Sequence, residues 1–272
     1  MTKSTDLATK NSTAVGQVLD FAADAGAGLE GADKNSFAIP FLTILQGLSP
    51  QCEPVKDGGI EGAKPGLFIN SITNELYDEV LVIPCAFQRQ FLRWAPRTSG
   101  GGFKGQYPAV DVDLHKVVGM SNHGGQIFMD VPADSSPVDE KGQAKYDILS
   151  DTRNHFVLMQ AKSGAWQPAL ISLGSTQIKK SKRWLSLIQG IEMKKTDGSV
   201  FNPPSFSQVY KLTTIKEENA KGKWQGLSIE LVGAVTQAEV YTKAKKFNVD
   251  VVEGTIEVSP PQAEPTVDAD KF

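Results

Sequence analysis

The sequence predicts a mainly β protein of the α+β class, in which short antiparallel strands form a barrel or a sandwich with flanking helices. Short runs of β-branched and aromatic residues recur along the chain, and glycine- or proline-rich turns separate them. The regular alternation of strand and helix that a doubly wound nucleotide-binding sheet needs is missing. The 272 residues suffice for one large domain or two small ones with an ample core.

Seven runs fit the strand pattern because they are short, apolar and bounded by turn residues. In chain order they are residues 66–70, 79–87, 126–131, 155–160, 167–173, 206–214 and 224–231. The apolar segment 35–48, NSFAIPFLTILQGL, is predicted to be core, although it would also suit an association surface.

Two helices are predicted, one over residues 176–191 with Ser175 as its N-cap and one over residues 237–247. On a helical wheel the first divides into an apolar half and a basic half. The apolar half holds Ile178, Trp184, Leu185, Leu187 and Ile188, and the basic half holds Lys179, Lys182 and Arg183, with Lys180 at the border. A basic face fits contacts to phosphates, but most such faces are simply solvated.

Charge is distributed unevenly along the chain. The whole sequence carries a net charge of −3, whereas residues 1–34 carry −2, residues 249–272 carry −5 and residues 35–248 carry +4. We therefore expect a flexible acidic N-terminal segment (1–34), one folded domain (35–248) and a disordered acidic tail (249–272). Because residues 35–248 are basic, a nucleic-acid partner is still possible although the sequence pI is about 5.7.

Several classes are excluded by composition. No run reaches the roughly 18 apolar residues of a membrane helix, and the N-terminus has no signal-peptide core, so a cytoplasmic protein is expected. Cys52 and Cys85 are too few for a disulfide framework, and Cys85 lies in an apolar run typical of core. The glycines before Lys104 do not have the GxxxxGK[ST] spacing of a phosphate-binding loop, so no nucleotide cofactor is expected. A metal cluster is not expected, because Asp111, Asp113, His115 and His123 match no known ligand spacing.

The segment 87–107, FQRQFLRWAPRTSGGGFKGQY, interleaves aromatic and basic side chains. In a strand, Arg89, Phe91 and Arg93 share one face, and Gln88, Gln90, Leu92 and Trp94 share the other. Cations for phosphates and rings for bases are what single-strand binders combine. The alternative is an ordinary surface strand with arginines in solvent and aromatic rings in the core.

Five blocks, at residues 39–51, 64–79, 82–105, 175–189 and 203–214, resemble a family of tailed-bacteriophage proteins associated with single-stranded DNA binding in replication or recombination. The resemblance implies an OB-fold-like barrel with insertions and a non-catalytic protein that coats and protects single strands in the infected cell. The predicted DNA-contacting residues are Arg89, Phe91, Arg93, Trp94, Arg97, Phe103, Lys104, Lys179, Lys182 and Arg183. Trp184 is a further stacking candidate, but its place on the apolar half of its helix equally fits a core residue. Arg93→Ala is expected to weaken binding to every sequence and to flatten its salt dependence.

The C-terminus, PTVDADKF, resembles the acidic tip of bacterial and phage single-strand-binding proteins, which recruits replication and repair enzymes. Asp268, Asp270 and Phe272 would then dock partners, or would lie in the protein's own basic groove and compete with DNA. Lys271 and the sparse acids depart from that pattern.

Three alternatives remain open at this point. One is a strand-annealing or recombination-mediator protein, which would need a homo-oligomer. Another is a metal-dependent nucleic-acid enzyme that uses Asp111, Asp113 and His115. The third is a structural or inhibitory phage protein that binds a host protein through residues 35–48.

Overall fold

The computed structural model describes residues 23, 27–32, 36–220 and 222–256. The chain divides into two units, Met1–Phe37 and Ala38–Phe272. In the first unit, residues 27–32 form turns in which the Ala32 amide donates to the carbonyl oxygen of Leu29. Most of the predicted N-terminal segment and the predicted docking residues Asp268, Asp270 and Phe272 lie outside the described residues.

The second unit is mainly β with few helices, as the sequence predicts. Its strands are β1 (Leu42–Ile44), β2 (Phe68–Asn70), β3 (Leu76–Tyr77), β4 (Val80–Trp94), β5 (Phe103–Pro108), β6 (Met120–His123), β7 (Gln126–Met129), β8 (Ile148–Gln160), β9 (Trp166–Gly174), β10 (Met193–Lys194), β11 (Val200–Phe201), β12 (Gln208–Asn219) and β13 (Gly222–Ala234). Its α-helices are α1 (Ala109–Asp113), α2 (Ile178–Gln189) and α3 (Ala238–Val252). Within the described residues, no helix is long and apolar enough to cross a membrane.

The main sheet has eight antiparallel strands built around the long pair β4 and β8. Its order is β13-β12-β4-β8-β7-β6, with β5 paired to β4 and β9 paired to β8. β12 and β5 share one edge of β4, since β12 pairs with residues 80–82 and β5 with residues 90–94. Among the described residues no strand pairing closes this sheet, so the antiparallel class is confirmed and an OB-fold-like barrel is not.

Two smaller sheets accompany it. β1, β2 and β3 form one antiparallel sheet, and β10 pairs with β11 in a separate hairpin. Leu42 and Leu45 of the predicted core segment are buried, whereas Leu48 is exposed. The interpretation of that segment as core is therefore confirmed for its central residues.

The two faces of the β4–β8 pair are covered by different helices. Trp184 of α2 belongs to a cluster with Val82 and Val157 on one face. Phe247 of α3 belongs to a cluster with Ile83 and Phe156 on the other. Removing such side chains from water is the main stabilising term, about 1.5–3 kcal/mol for each large one.

Cys85 is core, as predicted. It is fully buried in the α3 cluster, and its thiol donates to the carbonyl oxygen of Ile83. Burial raises the pKa of the Cys85 thiol to about 12, so it stays protonated at neutral pH.

All seven predicted strands are present, but their limits differ. β4 continues to Trp94 and β8 begins at Ile148. The predicted strands are shorter because they follow the apolar runs, whereas both strands also include polar and charged residues. The N-cap prediction was wrong: Ser175 opens a 3-10 turn with a φ of +48° and caps nothing, and α2 starts at Ile178. α3 runs to Val252 with Val251 buried, so the folded unit extends past residue 248.

Candidate nucleic-acid interface

The predicted alternation of side chains along β4 is confirmed by its pairing with β8. Arg89 lies opposite Arg153, Phe91 opposite Asp151 and Arg93 opposite Leu149, so these side chains share one face. Gln88, Gln90, Leu92 and Trp94 point to the other face. The arginines and the tryptophan therefore belong to opposite sides of the sheet.

Arg89 is held by two carboxylates. Its Nε lies 3.1 and 3.2 Å from the two oxygens of Asp151, and its Nη1 lies 2.5 Å from Oδ2 of Asp113. Its guanidinium carbon also lies 5.0 Å from the centre of the Phe91 ring. Hydrogen bonds to Asp151 and Asp113 raise the pKa of Arg89, although burial opposes them.

Arg93 is held in the same way. Its Nε lies 2.6 Å from Oδ2 of Asp147, and its Nη2 lies 2.9 Å from Oδ2 of Asp130. Burial lowers the pKa of Arg93, but hydrogen bonds to Tyr107, Asp147 and Asp130 outweigh it, so the net shift is upward. Lys104 also approaches Asp147, at 3.5 Å.

These ion pairs involve equal numbers of cations and carboxylates, and we call the set the β4 ion network. Its four cations are Arg89, Arg93, Lys104 and Arg153, and its four carboxylates are Asp113, Asp130, Asp147 and Asp151. Each arginine of β4 is held by two carboxylates, so a phosphate would compete with them for the guanidinium. From the sequence, Asp113 is a candidate metal ligand and the other three acids have no predicted role, although Asp147 and Asp151 stand at the even spacing that places both on one face of a strand.

Two predicted stacking residues lie in the core. Phe91 is 5% exposed and packs with Val112, Met129 and Leu149. Trp184 is fully buried, and its ring stacks on His155 with centroids 4.6 Å apart. Neither ring is accessible to a base. This corrects the stacking prediction for Phe91, whereas for Trp184 it agrees with the core alternative that its place on the apolar half of the helix left open.

The tip of the β4–β5 hairpin keeps an accessible ring and an accessible cation. Trp94 and Phe103 pair across the hairpin with their rings edge to face and centroids 5.8 Å apart, and Phe103 is 37% exposed. Arg97 is exposed and makes no ion pair with a described residue. Gly100–Gly102 follow it with φ between +65° and +111°, a region that favours glycine, and their Cα atoms face open space.

The basic face of α2 is also accessible. Lys179, Lys182 and Arg183 are exposed, and none of them makes an ion pair with a described residue. Lys180 differs, because its Nζ lies 2.7 Å from Glu217 and lowers the pKa of that carboxyl. The face therefore offers three exposed cations that have no ion-pair partner among the described residues.

The alternative metal cluster does not assemble. Asp113 binds Arg89, and no group of three or more His, Cys, Asp or Glu side chains among the described residues is arranged to hold a metal ion.

The sequence model of the Pam3 phage gp34-like protein family matches residues 8–257. No curated protein and no solved structure matches the chain. The match covers most of the chain and indicates a bacteriophage protein.

Proposed function

We propose that this chain, which belongs to the Pam3 phage gp34-like family, binds single-stranded DNA and catalyses no reaction. One observation carries the proposal: the β4–β5 hairpin tip presents the exposed Phe103 ring against Trp94, and the exposed Arg97 of the same loop makes no ion pair with a described residue. Stacking on such rings contributes about 1–3 kcal/mol per base without demanding a sequence. The adjacent cation supplies affinity for phosphate.

The basic face of α2 is the second contact in this proposal. Its three exposed cations make no ion pair with a described residue, whereas each arginine of β4 is already held by two carboxylates. We therefore assign Arg89 and Arg93 mainly to holding the sheet end together. Trp94, Arg97, Phe103, Lys179, Lys182 and Arg183 remain the proposed contacts.

The biological role we propose is to coat and protect single strands during phage DNA replication or recombination in the infected cell. Ring and phosphate contacts are tolerant of sequence, which suits a protein that must cover any exposed strand. The proposal requires neither an OB-fold barrel nor a cofactor.

The first experiment is a titration of labelled oligo-dT with the full chain, followed by fluorescence anisotropy at two salt concentrations with duplex DNA as competitor. About four neutralised phosphates would give a slope of log affinity against log salt near −2.8. We expect salt-sensitive binding that duplex DNA does not displace. A chain that binds no oligo-dT at low salt would disprove the function.

The hairpin tip is tested by the double variant R97A/F103A. We expect a loss of affinity of about tenfold or more, because one base loses its stacking partner and one phosphate loses its cation. Lys223→Ala is the control, since it removes one charge from the exposed turn of another hairpin. Equal affinities of R97A/F103A and the control would remove the tip from the site.

Arg93→Ala is a weaker test than the sequence suggests. The substitution also leaves Asp147 and Asp130 without their main partner. The unfolding free energy of the variant must therefore be measured together with its affinity for DNA.

A further inference from the structure

The β10–β11 hairpin is fastened to the C-terminal end of α2. The side-chain amide of Asn202 donates to the carbonyl oxygens of Gln189 and Ile191, both at 3.0 Å. The turn is closed by the Lys195 amide, which donates to the carbonyl oxygen of Ser199 at 2.8 Å. The hairpin therefore continues the surface that begins on α2.

The two faces of this hairpin carry different groups. Met193 pairs with Phe201 and Lys194 pairs with Val200, so Lys195 and Phe201 share one face while Lys194 and Val200 share the other. The Nζ of Lys195 lies 5.9 Å from the centre of the Phe201 ring. Phe201 is 36% exposed and belongs to none of the buried clusters of the described residues.

Charge on this surface is strongly one-sided. Residues 178–201 hold six basic and two acidic side chains, a net charge of +4. The β4 ion network, in contrast, sets four carboxylates against four cations. A polyanion is therefore attracted to α2 and its hairpin more strongly than to the arginines of β4.

The helix α2 has no exposed aromatic side chain on which a base could stack, since its Trp184 is buried. We propose that Lys195 and Phe201 of the β10–β11 hairpin form a further contact for single-stranded DNA, in which a base stacks on Phe201 and the strand continues onto Lys179, Lys182 and Arg183. This inference rests on the proposed function, but it names a contact separate from the β4–β5 hairpin tip. The exposed Leu187 lies on α2 one turn beyond Arg183 and adds apolar surface for the strand.

The test compares two double variants of the full chain in the oligo-dT titration. K195A/F201A removes the proposed contact, and K194A/V200A removes the same charge and one apolar side chain from the opposite face of the hairpin. We expect K195A/F201A to weaken binding about 10- to 100-fold, and K194A/V200A to weaken it no more than about threefold. Circular dichroism and thermal unfolding establish that both variants are folded.

A second measurement detects the contact directly. A photoreactive phenylalanine analogue at position 201 is expected to crosslink to oligo-dT, whereas the same analogue at position 200 is not. An equal loss of affinity in the two double variants would overturn the inference, and so would equal crosslinking from both positions. Binding of oligo-dT by the wild-type chain would still support the proposed function in that case. A wild-type chain that binds no oligo-dT would overturn both.

Discussion

His155 is a buried imidazole with polar and aromatic neighbours. Its Nε2 lies 2.8 Å from the Ser181 hydroxyl, and its ring contacts the rings of Phe87 and Trp184. Burial lowers the pKa of His155 to about 3, and the nearby Arg153 adds to the effect. The folded protein therefore keeps this imidazole neutral, whereas the unfolded chain takes up a proton near pH 6.5.

The unfolding free energy should consequently depend on pH. Between about pH 6.5 and pH 3 the unfolded state binds more protons at this site, so stability falls as the pH falls. We expect a loss of roughly 2 kcal/mol between pH 7 and pH 5, measured by urea unfolding at each pH. His155→Gln should flatten that dependence, and an unchanged slope in this variant would assign the titration to another group.

Asp147 is the most buried carboxylate of the β4 ion network. Asp147→Asn keeps the shape of the side chain but removes the charge that Arg93 and Lys104 face. We expect the free energy of unfolding to fall by about 1–3 kcal/mol, because Arg93 is left half-buried with one carboxylate partner. The control is Asp134→Asn, at an exposed position, and equal stabilities of the two variants would contradict the structural role of the network.

At the scale of the element, α2 presents its basic face to solvent. Removing two exposed cations in K179A/K182A should make the slope of log affinity against log salt shallower by about 1.4. The matched control is K245A/K246A, which removes two exposed lysines from another helix, α3. A control that changes the slope as much as K179A/K182A does would show that only total charge matters.

At the scale of the whole molecule, the sequence after residue 256 is acidic. Ile256 packs against the α3 cluster, so a chain that ends at residue 256 keeps that cluster. Residues 257–272 hold four acidic residues and one lysine, a net charge of −3. We expect deletion of residues 257–272 to tighten oligo-dT binding at low salt and to matter less at high salt, where charges are screened. Identical affinities at low salt would show that these residues do not compete with DNA.

The sequence by itself determined the features that depend on near neighbours in the chain. The seven strands, the alternation that separates Arg93 from Trp94, and the two halves of α2 all follow from the periods of strand and helix. The strands β3, β10 and β11 escaped prediction because two residues carry no period. The strands β1, β5 and β6 were not predicted either.

Only the tertiary structure decided which charges and rings remain accessible. Asp113, Asp130, Asp147 and Asp151 reach the arginines of β4 from α1, β8 and the residues that flank β7 and β8, at positions 24 to 62 residues away in the chain. Phe91 and Trp184 cannot stack on bases because α1 and the main sheet cover them, and for Trp184 the core alternative holds. The physical reason is that a local pattern sets the direction of a side chain, whereas the pairing of distant strands sets what that side chain meets.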